Sequence, residues 1–174
     1  AYNNRGNAYD FKGEYDLAIA DYDKAIQLDP DNAFAHTNRG YANFYKGDVE
    51  AAALDLRRSA QVGDIHGVLW PFIAQSRAGQ DATTQLAASA AGLKSKEWPY
   101  PVVELYLGKQ SAEAVFAKAG SNNERCDAYF YIGEWHLMQG RHDEALPALR
   151  AAVETCPKNF YEYSGAVAEL GQIE

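Results

Sequence analysis

Small and hydrophobic residues recur at helical spacing from the start of this chain. Tyr2, Gly6 and Tyr9 lie on one face of a predicted helix that ends near Gly13. A second helix opens at Asp16 and carries its own apolar face. Because only a short polar turn separates the two helices, the pattern predicts an antiparallel helix pair.

The pattern of the first helix pair returns along the chain. Gly6 and Gly13 reappear 34 residues later as Gly40 and Gly47. A small residue inside a helix, as at Gly6, suits the closest approach of two helices. The last copy places seven residues at the same internal offsets as Tyr2, Gly6, Gly13, Ala18, Tyr22, Ala25 and Pro30, namely Tyr129, Gly133, Gly140, Ala145, Leu149, Ala152 and Pro157. A period of this length indicates stacked repeats that share one continuous core.

The repeat degenerates between these copies. Over 65–120, apolar stripes predict shorter helix pairs, with helix starts near Asp81, Pro101 and Ser111. A further apolar stretch over 161–172 predicts a final helix. We expect these segments to stack on the regular repeats, because their apolar faces cannot be buried alone.

Length and composition fit one folded domain. The chain has 174 residues, of which 47% are hydrophobic, enough to build a sizeable core. We therefore expect a single all-α domain over 1–174. Its parts are two regular repeats at 1–64, degenerate helix pairs at 65–120, a regular repeat at 121–157 and a capping helix at 158–174.

The conserved positions of these repeats resemble those of the tetratricopeptide repeat family, whose helix–turn–helix unit carries a similar small-residue, aromatic and proline signature. The resemblance covers 1–64 and 124–157. It implies a right-handed α-solenoid of antiparallel helix pairs, in which the first helices line a concave groove that holds an extended peptide or a partner helix. A looser similarity, based on the irregular middle and two cysteines, is to repeat-containing lipoprotein adaptors of the bacterial envelope.

The groove implied by this resemblance has candidate partner-binding residues on the first helices of the two N-terminal repeats. They are Asn3, Asn7, Asp10, Phe11, Asn38, Tyr41, Phe44 and Tyr45. Asparagine can bond a peptide backbone as both donor and acceptor, and aromatic rings supply contact area with little rotamer entropy. The alternative is that the polar members are merely solvated and the aromatic members pack against neighbouring helices.

Some tetratricopeptide cochaperones clamp a C-terminal carboxylate between asparagines and cationic side chains. Asn7 and Asn38 match the asparagines of that pattern. The cationic positions are occupied here by Asn3, Val68 and Phe72, which cannot neutralise a carboxylate. The departure disfavours binding of chaperone tails.

The two cysteines occupy opposite ends of the last helix pair. Cys126 lies at the start of its first helix and Cys156 at the end of its second, so an antiparallel hairpin makes them neighbours. A disulfide there would close a loop of about 30 residues and contribute about 3–4 kcal/mol. The alternative is two unconnected buried thiols. No histidine stands at ligand spacing to either cysteine, so we expect no metal site.

A disulfide would place the protein in an exported compartment. Together with the looser family similarity, this predicts a periplasmic or envelope-associated protein, and a cytoplasmic location is the alternative. Any signal peptide or lipid-bearing cysteine would precede Ala1. The most apolar stretch, 68–74, is far shorter than the ~18 residues that span a bilayer, so we expect no membrane insertion within this segment.

Charge and motif content narrow the functional class. The net charge of −8 argues against nucleic acid as a partner, because phosphate binding relies on clustered lysine and arginine. His36 replaces Tyr2 of the first repeat and is interpreted as structural. No nucleophile or carboxylate stands at an interpretable spacing to the other histidines, which are His66, His136 and His142, and no phosphate-binding glycine loop is present. We expect neither catalytic residues nor a cofactor.

These observations predict a scaffold or adaptor that binds a protein or peptide. One alternative is a homo-oligomer that associates through the exposed solenoid end at Tyr2 and Tyr15. Another is a small-molecule or glycan-binding module that uses 98–106 and a slot beneath Trp70. The sequence leaves all three open and does not name the partner.

Overall fold

The computed structural model describes residues 1–59 and 65–173 of the chain. These residues fold into eleven α-helices and no strand. The N-terminal helices are α1 (Tyr2–Asp10), α2 (Tyr15–Leu28), α3 (Ala33–Lys46) and α4 (Val49–Ser59). The middle helices are α5 (His66–Arg77), α6 (Thr83–Ala91), α7 (Tyr100–Tyr106) and α8 (Ala112–Lys118). The C-terminal helices are α9 (Asn122–Leu137), α10 (His142–Thr155) and α11 (Tyr161–Ile173).

Consecutive helices pack as pairs, as the repeat pattern predicts. The most extensive contacts join α3 to α4, α9 to α10 and α1 to α2, and α2 packs in turn on α3. Each helix pair therefore covers an apolar face of the next pair. This arrangement confirms the all-α fold and its similarity to a tetratricopeptide solenoid.

The repeated glycine inside the first helix of a pair is required by close packing. At Gly6, an added Cβ atom would lie 2.6 Å from the Tyr22 ring. At Gly133 it would lie 2.7 Å from the Leu149 side chain, and Gly40 is equally crowded. The second helix lies so close that no larger residue fits, which explains why the repeat keeps glycine there.

An arginine on the first helix of each N-terminal pair holds an aspartate on the second. Arg5 binds Asp21 through two N–O contacts of 2.6 Å. Arg39 binds Asp55 in the same bidentate way, at 2.7 and 2.8 Å. Hydrogen bonding from Arg5 lowers the pKa of Asp21. The 34-residue repeat thus preserves an ion pair as well as a packing position.

The middle of the chain contributes the centre of the core. Trp70 of α5 is 1% exposed and packs edge-on against Tyr41 and Phe44 of α3, with ring centroids 4.9 and 5.5 Å apart. It also stacks on Phe130 of α9 at 5.2 Å. Neighbouring rings thus occupy the surroundings of Trp70 where the sequence predicts a slot for a small molecule.

The final helix does more than cap α10. Besides α10, it contacts α9 and α3, which are the first helices of their pairs. Tyr161 stacks on Tyr41 at 4.3 Å, and an added Cβ atom at Gly165 would lie 2.6 Å from Phe130. Helix α11 therefore packs against the two first helices α3 and α9, which the family resemblance places along the groove.

A buried charge cluster connects α11 to two other helices. Arg77 of α5 contacts Glu134 of α9 at 3.2 Å and Glu169 of α11 at 2.7 Å. Both glutamates are buried, and each has one carboxylate oxygen with no hydrogen-bond partner among the described residues. Burial and the neighbouring Glu169 raise the pKa of Glu134 well above its usual value. One guanidinium thus serves two carboxylates.

Cys126 and Cys156 form a disulfide, as the hairpin geometry predicts. Their Cα atoms lie 4.8 Å apart, and the bridge joins the start of α9 to the end of α10. Cys126 is buried in the same core as Phe130. The bond closes the last helix pair at its open end.

Candidate functional site

Two of the predicted partner-binding residues lie in contact on adjacent first helices. The Asn38 side-chain amide donates to Asn7 Oδ1 at 2.9 Å, and the Tyr22 hydroxyl donates to the same oxygen at 2.8 Å. Both asparagines are half-buried. Among the described residues, the Asn7 amide nitrogen and Asn38 Oδ1 have no hydrogen-bond partner. One donor and one acceptor thus remain side by side.

Asn3 and Asp10 continue this polar surface along α1. Both are half-buried, and each has a buried Oδ1 without a described hydrogen-bond partner. Burial raises the pKa of Asp10 to about 6. Phe11 follows at the end of α1 and is 73% exposed. We use the name asparagine strip for Asn3, Asn7, Asp10 and Asn38.

The three aromatic residues predicted on α3 do not form an open binding surface. Tyr41, Phe44 and Tyr45 are buried, and Phe44 is 0% exposed. The cause is tertiary packing: Trp70 of α5 and Tyr161 of α11 pack on these rings, and the Tyr45 hydroxyl donates to the Tyr161 carbonyl at 3.2 Å. Phe44 and Tyr45 are thus buried where the sequence predicts an open partner-binding surface, and Tyr41 lines a cavity.

That cavity, of about 490 Å³, lies where α3, α5 and α9 meet the start of α11. We call it the acidic cavity, and its lining residues are Tyr41, His66, Asp127, Asn159, Phe160, Tyr161 and Glu162. The sequence pattern did not reveal it, because these residues come from four separate segments. Only the tertiary position of α11 brings them together.

Two carboxylates give this cavity its charge. Asp127 accepts a hydrogen bond from the Trp98 indole nitrogen at 2.9 Å, and Glu162 accepts one from the Tyr131 hydroxyl at 3.0 Å. Burial, followed by the nearby Glu162, raises the pKa of Asp127 to about 6. Both of these donors are neutral. Trp98, which was considered for glycan binding, instead supports a carboxylate.

The remaining predicted sites are accounted for by packing. Val68 and Phe72, at the positions where a carboxylate clamp would need cations, are buried in the core. Tyr15, expected at an exposed end, is half-buried and packs on Tyr45 with ring centroids 5.7 Å apart. In the described ranges, no group of three or more His, Cys, Asp or Glu could hold a metal ion. No helix in this part of the chain is long and apolar enough to cross a bilayer.

Comparison with known proteins identifies the repeats. Residues 1–32 and 126–159 match family models of the tetratricopeptide repeat. A curated relative, the lipoprotein NlpI homolog of Haemophilus influenzae (strain ATCC 51907 / DSM 11121 / KW20 / Rd), is 30% identical over 186 aligned residues. The match covers 97% of this chain but 59% of the relative, so the chain spans about three-fifths of that protein's length. Helix pairs lie at both matched segments, so the α1–α2 and α9–α10 pairs are tetratricopeptide repeats.

Proposed function

We propose that this chain is a non-catalytic scaffold that holds a short extended polypeptide on the asparagine strip. Tetratricopeptide repeats generally mediate protein–protein interaction. The observation that carries the proposal is the contact between Asn7 and Asn38 on neighbouring first helices, which leaves one amide donor and one carbonyl acceptor available. A peptide group presents the complementary pair of acceptor and donor.

The position of α11 limits the length of the bound segment. Because α11 packs against both α3 and α9, the proposed groove is limited to the surface of α1 and the adjoining part of α3. Adjacent packed helices are about 10 Å apart, and an extended chain advances about 3.3 Å per residue. The strip therefore accommodates a core of about three peptide residues, and recognition beyond it depends on flanking surfaces.

The test is selection of peptides followed by measurement of their affinity. Random dodecamer peptides displayed on phage are selected on the wild-type protein, and the enriched sequences are synthesised and titrated by calorimetry. The Asn7→Ala/Asn38→Ala double variant is expected to lose at least about tenfold in affinity, since about 1–1.5 kcal/mol is typical of lost hydrogen bonds. The matched control is Asn122→Ala/Asn123→Ala, which removes two exposed asparagines at the start of α9.

Equal affinity in the double variant and the control contradicts the proposal, as does a failure to enrich any peptide. Asn38→Ala alone leaves the Tyr22–Asn7 hydrogen bond intact and is expected to lose part of the affinity. Thermal unfolding of each variant, measured in parallel, separates loss of binding from loss of folding.

We also propose that the protein acts in an exported, envelope-associated compartment. The Cys126–Cys156 disulfide supports this, because such bonds persist in oxidising compartments. The name of the curated relative, a lipoprotein, points in the same direction. Maleimide labelling of protein recovered from its native cells is expected to modify neither cysteine until a reductant is added. Labelling of both without reductant would contradict this location.

Self-association is the second candidate, and exposed apolar side chains at the α1–α2 end favour it. Phe11 and Leu17 are 73% and 49% exposed, and Tyr2, at the start of α1, is 38% exposed. Sedimentation velocity over a hundredfold concentration range is expected to show a dimer that Leu17→Glu dissociates. A monomer at every concentration removes this candidate.

A further inference from the structure

We propose that the acidic cavity binds a lysine or arginine side chain of the polypeptide held on the asparagine strip. This inference rests on the proposed scaffold function and specifies the chemistry of the partner. The cavity volume of about 490 Å³ lies within the usual range of ligand sites in proteins. A long flexible side chain is the part of a polypeptide best suited to reach into it.

The walls of the cavity suit the stem of such a side chain. Tyr41 and Tyr161 stack with ring centroids 4.3 Å apart, and Phe160 also lines the cavity. The methylene groups of lysine and arginine pack along apolar and aromatic surface while the charged end reaches polar groups. Aromatic rings also attract cations through the negative charge of their faces.

The charges in the cavity select a cation. Asp127 and Glu162 both line it, and Glu162 is 5% exposed. No lysine or arginine is among the described lining residues, which include one histidine, His66. Partly dehydrated carboxylates hydrogen-bonded to neutral donors gain strongly from an incoming cation, and arginine can bind carboxylates with two parallel hydrogen bonds.

Other classes of ligand fit this cavity less well. An anion would be repelled by both carboxylates, and a neutral apolar group would dehydrate them without compensation. A metal ion is disfavoured because the described residues provide no group of three suitable ligands. The organic cations of a protein, lysine and arginine, meet the charge and the aromatic walls together.

The cavity also adjoins the asparagine strip. Tyr41 lies three residues after Asn38 on α3, which is about 4.5 Å further along the helix axis. A segment whose backbone binds Asn38 therefore places a side chain at the cavity within about two residues. The expected motif is a basic residue next to a short backbone-bound segment.

The first test uses small probes that need no identified partner. Acetyl-arginine methylamide and acetyl-lysine methylamide are titrated into isotope-labelled protein, and the Trp98 indole N–H resonance is followed by NMR because this group donates to Asp127. Trp98→Phe assigns the resonance. We expect a saturable shift with both cations and at least tenfold weaker binding of acetyl-citrulline methylamide, the neutral analogue of the arginine probe. Equal shifts with the neutral analogue, or none with the cations, overturn the proposal.

A matched pair of variants tests the residues. Asp127→Asn keeps an acceptor for the Trp98 indole and removes one charge, so it is expected to fold and to bind both cationic probes at least tenfold more weakly. Glu154→Gln removes the same charge from an exposed position on α10 and is expected to bind as the wild type does. Tyr161→Leu removes an aromatic wall and is expected to weaken binding. Unchanged binding by Asp127→Asn contradicts the assignment.

Failure of this proposal can be distinguished from failure of the scaffold function. The Asn7→Ala/Asn38→Ala variant is expected to lose the selected peptides and still bind the arginine probe. Selected peptides that bind tightly without a lysine or arginine leave the scaffold function intact and overturn the cavity assignment. Binding of the arginine probe without enrichment of any peptide overturns both the scaffold function and the assignment of a polypeptide side chain.

Discussion

Arg77 is a single cation held between two buried carboxylates. Its guanidinium contacts both Glu134 and Glu169, and burial raises the pKa of each glutamate. The nearby carboxylates disfavour each other's ionised form, and Arg77 opposes that effect. Removing the arginine therefore has a different consequence from removing a glutamate.

Arg77→Met is expected to lower the free energy of unfolding at pH 8 by about 3–5 kcal/mol, because it leaves two buried carboxylates unpaired. Glu169→Gln keeps one ion pair and is expected to change that free energy by less than about 1 kcal/mol, or to raise it. Urea denaturation followed by circular dichroism measures both. A larger loss in Glu169→Gln than in Arg77→Met contradicts this account.

Asp10 predicts a distinct dependence of stability on pH. Its pKa in the folded protein, about 6, lies above the unfolded value, so the folded state binds more protons between about pH 4 and 6. Raising the pH through that window therefore lowers the free energy of unfolding. Asp10→Asn is expected to match the wild type at pH 4 and to be more stable by about 1–2 kcal/mol at pH 7, allowing for partial exposure. Urea denaturation at several pH values checks this.

The control is Asp31→Asn, at an exposed position in the turn before α3. It is expected to show no gain in stability between pH 4 and 7. If the free energies of unfolding of Asp10→Asn and the wild type differ by the same amount at every pH, burial of the Asp10 charge is not the cause of the difference.

At the scale of elements, the helix pairs depend on close contact at one glycine. Gly133→Ala is expected to lower the free energy of unfolding by about 1–3 kcal/mol, since the new methyl group meets Leu149 at 2.7 Å. Gly171→Ala, within α11 and facing open space, is expected to raise it by about 0.5–1 kcal/mol through helix propensity. Thermal and urea unfolding check the opposite signs.

The double variant Gly133→Ala/Leu149→Ala tests the cause of that loss. If the methyl group clashes with Leu149, shortening the leucine relieves the clash. Gly133→Ala then lowers the free energy of unfolding by less in the Leu149→Ala background than in the wild-type background. Additive losses at the two positions would contradict the steric explanation.

The disulfide stabilises the last helix pair against unfolding. It closes a separation of 30 residues, so Cys126→Ala/Cys156→Ala is expected to lower the free energy of unfolding by about 3–4 kcal/mol. Urea denaturation of the wild type with a reductant is expected to approach the value of the double variant. If the reductant leaves the free energy of unfolding of the wild type unchanged, the disulfide does not form in solution.

The sequence predicts the elements better than it predicts their assembly. Helix pairs, the turn glycines and the disulfide all follow from local spacing, and so were accessible from residues such as Gly6, Gly13 and Cys126. The position of α11 could not be predicted from the sequence. Its contacts join Tyr161 to Tyr41 and Glu169 to Arg77, and the residues of each pair are distant in the chain. No periodicity records such pairings.

The same limit explains the result for the candidate site. Asn7 and Asn38 could be predicted as neighbours because equivalent faces of successive repeats lie side by side. Phe44 and Tyr45 occupy a face that is open in an isolated repeat, and the sequence gives no sign that α5 and α11 cover it. The acidic cavity was missed for the same reason.

At the scale of the whole molecule, α11 determines how much of the concave side is open. Gly165 allows it to approach Phe130 and Trp70, so Gly165→Leu is expected to displace the helix. Hydrogen exchange is expected to accelerate in α11 at least tenfold, with little change in α1 and α2. Gly171→Leu, on the same helix in open space, is the control. Unchanged exchange in Gly165→Leu would show that α11 is held elsewhere.

The bond between the two ends of the last helix pair also has a mechanical consequence. When the protein is pulled from its two termini, tension passes through the sulfur atoms and bypasses the helices between them. The disulfide therefore prevents the extension of about 100 Å of contour length, at roughly 3.3–3.6 Å for each enclosed residue. Force spectroscopy would show this length only after reduction, so the redox state of the surroundings sets how far the chain can extend under load.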